Sequence, residues 1–542
     1  MRWIMALGVK IKNLFRKPVS LVFLIILAVE FLYLIKFNLV HAYGVMDQDA
    51  AKLMSHMIEM VRTGKILIPG WSYMTTHELD SAMLLAIPFY AVTHKLYFSF
   101  AVSNTIYMFL LLAVLLGIFK NCGIKSEISL FICCLVYIPY NFGMLEYVNM
   151  LFVRGSQYSI KILIPLLAVL LLTFPDKNKK RDYILSAIWL FLCFLCGFSS
   201  GLFPLITGIL PIAGAYYVNF AFRKKDAGSV NAFRTALLIA GTIISVIGFA
   251  LHQINNISPS GINATLTYSE EFGPRVLLNI GNYFNLLNAL PSKYLNIYPI
   301  VSFEGIGCIV RFALAIFLLV CAIHFIILFF GGRENNPSGD TAHVATGYMS
   351  AIIIVNVIIH LLCSYDEGRY YLVELIFMMI LAGIWISRLT NNLGNAVRIR
   401  VFVYLILFTC FTWYSSKKYV DTCQITKNYY GFCYGICDFI KTQNVDNVIV
   451  LDNNEAEEII RVLLPDVKVS NYNSQDGEFI SYDWYDTTGD ASYYGDSSII
   501  LTQWRDDLSE VFGSEAASNY EFIGQINGFN LFRSDVFCLP LE

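Results

Sequence analysis

Charge is scarce in this sequence. Only 14% of its 542 residues are Asp, Glu, Lys or Arg, where soluble domains carry about 25%. With 57% hydrophobic residues and a mean hydropathy of +0.59, that shortage excludes a chain folded mainly in water. A cysteine framework is also missing, because the 13 cysteines follow no regular spacing. The CxxC of Cys193 and Cys196 lies inside "WLFLCFLCGF", where both are expected to be small packing residues rather than ligands or a redox pair. Cys423, Cys433, Cys437 and Cys538 flank the polar C-terminal part and are open to pairing if that part lies outside the cell. The basic opening "MRWIMALGVKIKNLFRKP" is not followed by a short apolar core with a small-residue cleavage site, so an uncleaved first helix is expected. The C-terminal part has no GxGxxG or GxxxxGK[ST], which excludes those nucleotide-binding signatures there. No internal repeat is visible, and the charges collect at helix ends rather than at midspan. Both observations speak against a secondary transporter.

What is present is a series of apolar runs close to the ~20 residues that cross a bilayer as a helix. They predict spans near 19–40, 97–119, 127–145, 157–174, 183–201, 203–222, 233–251, 306–330, 346–362, 369–387 and 399–416. The chain is therefore expected to be a polytopic α-helical membrane protein with about 11 transmembrane helices. Lys10, Lys12, Arg16 and Lys17 place the N-terminus in the cytoplasm by the positive-inside rule. The basic connections "KNCGIK", "DKNKKRD", "FRKKD", "GGRE" and "SRLTNNLGNAVRIR" then fall on the same side. The loops 41–96, 146–156, 252–305 and 363–368 fall outside. The segment "LDSAMLLAIPFYAVTH", 79–94, is short and broken by Pro88. A full span there would invert every later loop, so an interfacial or re-entrant helix is expected.

The net charge of −2 hides a division. From Lys417 onward there are 8 Lys/Arg against 21 Asp/Glu, and before it 30 against 19. Residues 1–416 read as a membrane domain and 417–542 as a soluble extracytoplasmic α/β domain. In the latter, "VDNVIVLD", "VKVSNY", "SSIILTQ" and "YEFIGQINGFNLFRS" read as strands, and "NEAEEIIRVLLP" as a helix with acids in its first turn. The loop "DWYDTTGDASYYGDSS" has the aromatic and acidic mix that binds sugars, although an ordinary solvated loop has it too.

Three polar clusters stand in the outer loops. Asp47 and Asp49 open "DQDAAKLMSHMIEMVRTG", a helix whose Leu53, Met57 and Met60 share one face and which should lie along the membrane surface. Either acid, taken alone, is explained by hydration. His77, Glu78 and Asp80 follow in "SYMTTHELDS". In "CSYDEGRYYLVELIF", Arg369 opens a helix and is followed by Tyr370 and Tyr371. Its guanidinium either grips a phosphate through paired charge-assisted hydrogen bonds or snorkels within an aromatic belt. Glu146 and Arg154 form a further pair of opposite charges, of small energetic consequence at an open interface. His252, His324 and His360 read as packed or interfacial residues.

Together these features resemble the GT-C superfamily of membrane glycosyltransferases that use polyprenyl-phosphate sugars. The chain looks most like the bacterial branch of protein mannosyltransferases and the lipid A aminoarabinose transferase. The run "VMDQDAAKLMSHMIEMVRTGKILIPGW" is similar to that branch's acid, amphipathic helix and following turn, and "EGRYYLVELIFMMILAGIW" is similar to its Arg-Tyr helix. The layout agrees over residues 1 to about 390. The chain departs from the branch where an acid pair with a following Tyr and a Lys-Pro-Pro are usual, reading "MDQDAA" and "HELDSAM" instead.

The resemblance implies a GT-C-like fold and inversion at the anomeric carbon of a sugar carried by a polyprenyl-phosphate donor. The acceptor would be extracytoplasmic: a cell-wall or surface glycan, a lipid or a protein. It implies Asp47 as general base, with Asp49 the second choice. Arg369, helped by Tyr370, would hold the donor phosphate, with Arg154 a further phosphate contact. His77, Glu78, Asp80 and Glu146 would orient the acceptor or bind a metal. No cofactor is required and a divalent cation is optional, since a monophosphate donor needs metal less than a nucleotide diphosphate does. Membrane lipids are expected partners and nucleic acid is not. The competing readings are a transporter or flippase, and a non-catalytic component of cell-envelope glycan assembly.

Overall fold

The computed structural model describes residues 18–41, 46–68, 71, 76–142, 146–174, 179–222, 232–255, 272–290, 299–331, 341–362, 367–426, 431–475, 478–479 and 496–536. Among them, eight helices are long and apolar enough to cross a membrane: Pro18–Val40, Leu96–Asn121, Arg181–Ser200, Ala232–Ile254, Phe303–Phe330, Thr341–Leu362, Gly368–Asn391 and Asn395–Asp421. The other three expected spans form shorter helices, Ser126–Tyr137, Ser159–Leu172 and Leu205–Val218. Proline explains the first of these. Ile138 precedes Pro139 and takes up extended geometry (φ −64°, ψ 129°), as the residue before a proline must when its ring crowds the α conformation. The extended chain that follows stays buried at Tyr140, Asn141 and Phe142. Non-helical backbone at membrane depth is tolerated only where protein covers it. Ser159–Leu172 is likewise enclosed by its neighbours, with all but one of its residues buried.

Met83–Thr93 has 11 residues with Pro88 inside. At 1.5 Å per residue it reaches roughly 16 Å, about half the hydrocarbon thickness, so it does not cross as a helix. Its left-handed His94 (φ 51°) turns the chain into the long helix Leu96–Asn121 beside it.

The helices Lys179–Ser200 and Ala232–Asn255 pack with their backbones almost touching. A Cβ on Gly197 would stand 2.3 Å from the Ser245 carbonyl oxygen, and one on Gly248 2.4 Å from that of Phe194. Small residues at such a crossing allow the van der Waals contact that drives association in lipid. Cys193 and Cys196 are buried in the first of these helices as unbridged thiols, in keeping with a packing role.

Asn395–Thr426 runs on past residue 417, so the change of composition falls within its last turns. The C-terminal domain then begins with the helix Gly431–Gln443. Its six-stranded sheet comprises β1 (Asn447–Leu451), β2 (Lys468–Asn473), β3 (Glu478–Phe479), β4 (Ser498–Thr502), β5 (Glu521–Ile526) and β6 (Phe529–Ser534), in the order β3-β2-β1-β4-β6-β5. β1 is parallel to β2 and β4, while β3, β5 and β6 pair antiparallel. β1 and β4 are buried at every position, as expected for strands covered on both faces. The helix Asn454–Leu463, capped by Asn453 accepting from the Ala456 N–H, links β1 to β2. Cys433 and Cys437 are buried and unbridged. The positions of Cys538 and most of "DWYDTTGDASYYGDSS" lie outside the described residues, as does the Cys423 side chain.

The expected surface helix exists as Gln48–Thr63, with Leu53, Met57 and Met60 buried. Its polar side is not left open, however. Asn454–Leu463 of the C-terminal domain packs along it, and Lys52, Ser55 and His56 are buried as well. The first long loop and the C-terminal domain therefore share one end of the helix bundle.

Candidate active site

The site is organised by the N-terminal turn of Gln48–Thr63. Asp47 caps this helix in extended geometry, and its Oδ1 accepts the Ala50 N–H at 2.9 Å. Its Oδ2 is in contact with Nη1 of Arg154, and both residues are buried. Arg154 is held in turn by a polar ladder from the first two membrane helices. Asn104 Nδ2 donates to the Arg154 carbonyl (3.0 Å) and to Asn38 Oδ1 (2.8 Å). Ser156 Oγ donates to Asn104 Oδ1 (2.6 Å), and Asn38 Nδ2 donates to the Phe152 carbonyl (2.8 Å). The guanidinium lies 5.5 Å from the Phe142 ring centroid, and the residue adopts a left-handed backbone (φ 56°). The sequence suggested Glu146 as its counter-charge. Instead Arg154 takes Asp47, and Glu146 accepts from Asn141 Nδ2 at 2.7 Å. The left-handed turn aims Arg154 at a residue 107 positions upstream rather than at its near neighbour.

Asp49 stands in the first turn of the same helix, with Oδ2 3.5 Å from Nη1 of Arg369. Arg369 belongs to the 3-10 turn Gly368–Tyr371 that leads into Leu372–Asn391. Its Nε also contacts Glu367 at 2.6 Å, and its guanidinium lies 5.3 Å from the Tyr370 ring. A buried pair fixes the helix just behind it: His360 Nδ1 is 2.8 Å from Glu374 Oε1.

Tyr370 continues into a second cationic position. Its ring meets that of Tyr158 at 6.4 Å, and Lys161 Nζ lies 5.0 Å from the Tyr158 ring centroid. Lys161 is 3.6 Å from Asp80 Oδ2. Two cations thus flank an aromatic pair. In the sequence Lys161 and Tyr158 stand at the start of the apolar run 157–174 and carry no motif of their own. A lysine inside an apolar run is itself a signal, because an intramembrane charge is costly without a partner.

Asp80 is buried and saturated. It accepts from Ser199 Oγ and Ser200 Oγ at 2.7 Å each and from Cys196 Sγ at 3.2 Å. These bonds tie the first loop to the end of Lys179–Ser200. His77 donates its backbone N–H to the Ser199 carbonyl (2.9 Å), stacks on Phe198 at 4.8 Å and meets His252 edge-on at 4.7 Å. Burial, with His252 adding to it and Asp80 opposing, pushes the His77 imidazole down to about 4. His56, stacked on Trp71 at 4.8 Å, is pushed down to about 3 by burial, Lys52 and His77. Both rings are therefore neutral near pH 7. Glu78 has a left-handed backbone (φ 57°), and its carbonyl accepts from Ser81 Oγ at 2.6 Å. The carboxylate and imidazole of "HELDS" are thus not gathered as a cation cage. Among the described residues no group of three or more His, Cys, Asp or Glu is disposed to hold a metal ion.

No family model and no curated protein matches the chain. Solved structures do share its fold. The crystal structure of ArnT from Cupriavidus metallidurans bound to undecaprenyl phosphate aligns over 96% of this chain and 99% of its own, with a TM-score of 0.53 at 11% identity. ArnT from the same organism in the apo state aligns over 95% and 98%, with a TM-score of 0.52 at 12% identity. An alignment spanning both the helical body and the terminal sheet at so little identity is a likeness of architecture. The chain is a multi-pass membrane protein with the GT-C-like fold that its acid-led surface helix and its Arg-Tyr helix led one to expect.

Proposed function

We propose that this protein is an inverting glycosyltransferase that moves a sugar from a polyprenyl-phosphate donor to an extracytoplasmic acceptor. One observation carries the reading: Asp47 and Asp49, from the head of one loop, converge with Arg154 and Arg369 from distant parts of the chain. The shared fold with an ArnT structure bound to undecaprenyl phosphate supports the donor class. Asp47 is the general base and Asp49 the alternative. The acceptor oxygen bonds to the anomeric carbon as the bond from that carbon to the phosphate oxygen breaks. The acceptor proton passes to the carboxylate, and polyprenyl phosphate leaves with the bonding electrons. Charge grows on the leaving phosphate, where fixed cations are most effective. Arg369 with Tyr370 meets it, and Lys161, whose Nζ stands a loose 3.6 Å from Asp80 Oδ2, replaces Arg154 as the second cation, because Arg154 is in direct contact with Asp47. Arg154 keeps Asp47 ionised and oriented until an acceptor hydroxyl inserts. With two cations available the mechanism needs no metal, and a divalent cation is an optional addition. The N-terminus faces the cytoplasm, and the C-terminal domain and first loop face outward, where the acceptor is a glycan, lipid or protein.

The closed Asp47–Arg154 contact is also what a purely structural lock would show, as in a non-catalytic relative. The two readings separate in native membrane vesicles given a radiolabelled polyprenyl-phosphate sugar. Asp47→Asn should abolish transfer per folded molecule, with rates normalised to the folded protein in the vesicles because the variant leaves Arg154 without its counter-charge. Transfer by that variant at the wild-type rate would remove Asp47 from the mechanism and favour the lock.

A further inference from the structure

Asp47, Gln48 and Asp49 are consecutive, yet each contacts a different part of the molecule. Asp47 takes Arg154 of the loop after the Tyr147–Leu151 helix, and Asp49 takes Arg369 at the head of a late membrane helix. Gln48 Nε2 donates to Glu458 Oε1 at 3.1 Å. Glu458 belongs to Asn454–Leu463 of the C-terminal domain and is 1% exposed. A carboxylate beside the first turn of Gln48–Thr63 also complements the positive end of that helix. Farther along the seam, Arg461 is held by Glu457 at 2.7 Å and acts on Glu59 of the surface helix.

We propose that Glu458 is a positioning residue: by anchoring Gln48 it fixes the turn whose cap is Asp47, making the C-terminal domain part of the catalytic unit. The proposal rests on the reading of Asp47 as base. One oxygen of Asp47 follows the helix through Ala50 and the other follows Arg154. A rotation of the first turn therefore swings the carboxylate away from an acceptor proton. Arg154 restrains that turn from the membrane body, and Glu458 restrains it from the C-terminal domain. Without Glu458 the first turn loses its own hydrogen bond to the domain, and misplacement of a catalytic group by about 1 Å is enough to slow a reaction severely.

The test uses the full-length protein, assayed in native vesicles with a radiolabelled polyprenyl-phosphate sugar and, after purification, by hydrogen exchange at amides 48–52. Glu458→Leu should speed exchange in that turn and lower kcat roughly tenfold, with the donor KM unchanged. Glu458→Gln keeps an acceptor oxygen and should restore both readouts. Gln48→Leu should reproduce the defect, and the double variant Gln48→Leu/Glu458→Leu should be no worse than either single one, as for two ends of one interaction. Wild-type exchange and rate in Glu458→Leu, or losses that multiply in the double variant, would overturn the proposal. Exchange that responds while Asp47→Asn transfers at full rate would instead bring down the base reading and leave the anchoring in place.

Discussion

The two acid–arginine contacts at the head of the surface helix use the same residue types two positions apart, and burial separates them. The side chains of Asp47 and Arg154 are each 8% exposed, whereas those of Asp49 and Arg369 are 34% and 22% exposed. In the first contact both charges have left water, and removing either strands the other. In the second, water screens the attraction and the 3.5 Å separation is loose. On the proposed reading, a donor phosphate would offer Arg369 two oxygens in the guanidinium plane, a stronger arrangement than a distant carboxylate. A fixed strut and an exchangeable contact thus arise from one short sequence, and depth decides which is which.

Removal of the strut has the largest expected effect. Arg154→Met should lower stability by about 3–5 kcal/mol, the usual consequence of breaking a buried pair from one side, and should abolish transfer. An unchanged melting temperature in detergent would show that the pair bears no load. Arg369→Ala should divide the two properties. Stability should fall by about 1 kcal/mol or less, while the KM for the lipid donor rises roughly tenfold or more as charge-assisted hydrogen bonds are lost. An unaltered KM would return Arg369 to a snorkelling role. The smallest effect is an acid sensitivity at the base of the same loop. His77 is neutral in the fold, with its pKa down at about 4 from an ordinary 6.5. The unfolded chain therefore binds this proton first. The stability contribution is complete above about pH 6.5 and is lost progressively as the pH falls toward about 4. A stability profile across that window should flatten in His77→Phe. An identical slope in the variant would assign the sensitivity to other groups.

Much of the architecture was legible because apolar length and helical spacing are local properties. All eleven expected spans are helical in part, and Leu53, Met57 and Met60 marked the surface helix. The strands of the terminal domain were readable from their apolar runs. What stayed hidden depends on distant partners. Glu146 looked like the counter-charge of Arg154 because it is near in sequence, and nothing local reveals that a left-handed turn directs the guanidinium to Asp47. His77, Glu78 and Asp80 looked like ligands because acids and imidazoles are crowded there. Ser199 and Ser200, which saturate Asp80, read as the end of an unrelated span. The cover over the polar side of the surface helix was equally invisible. Hydropathy describes one helix at a time, and here the complementary surface comes from the far end of the chain.

That long-range cover has a consequence for biosynthesis. Gln48 and Glu458 are 410 residues apart. At ribosomal speeds of roughly 5–20 residues per second, the loop carrying the acid waits on the order of 20 to 80 s before its last support emerges. A nascent chain that has passed Arg154 thus holds the acid from the membrane body alone, and on the proposed anchoring its domain-side support arrives only near the end of translation.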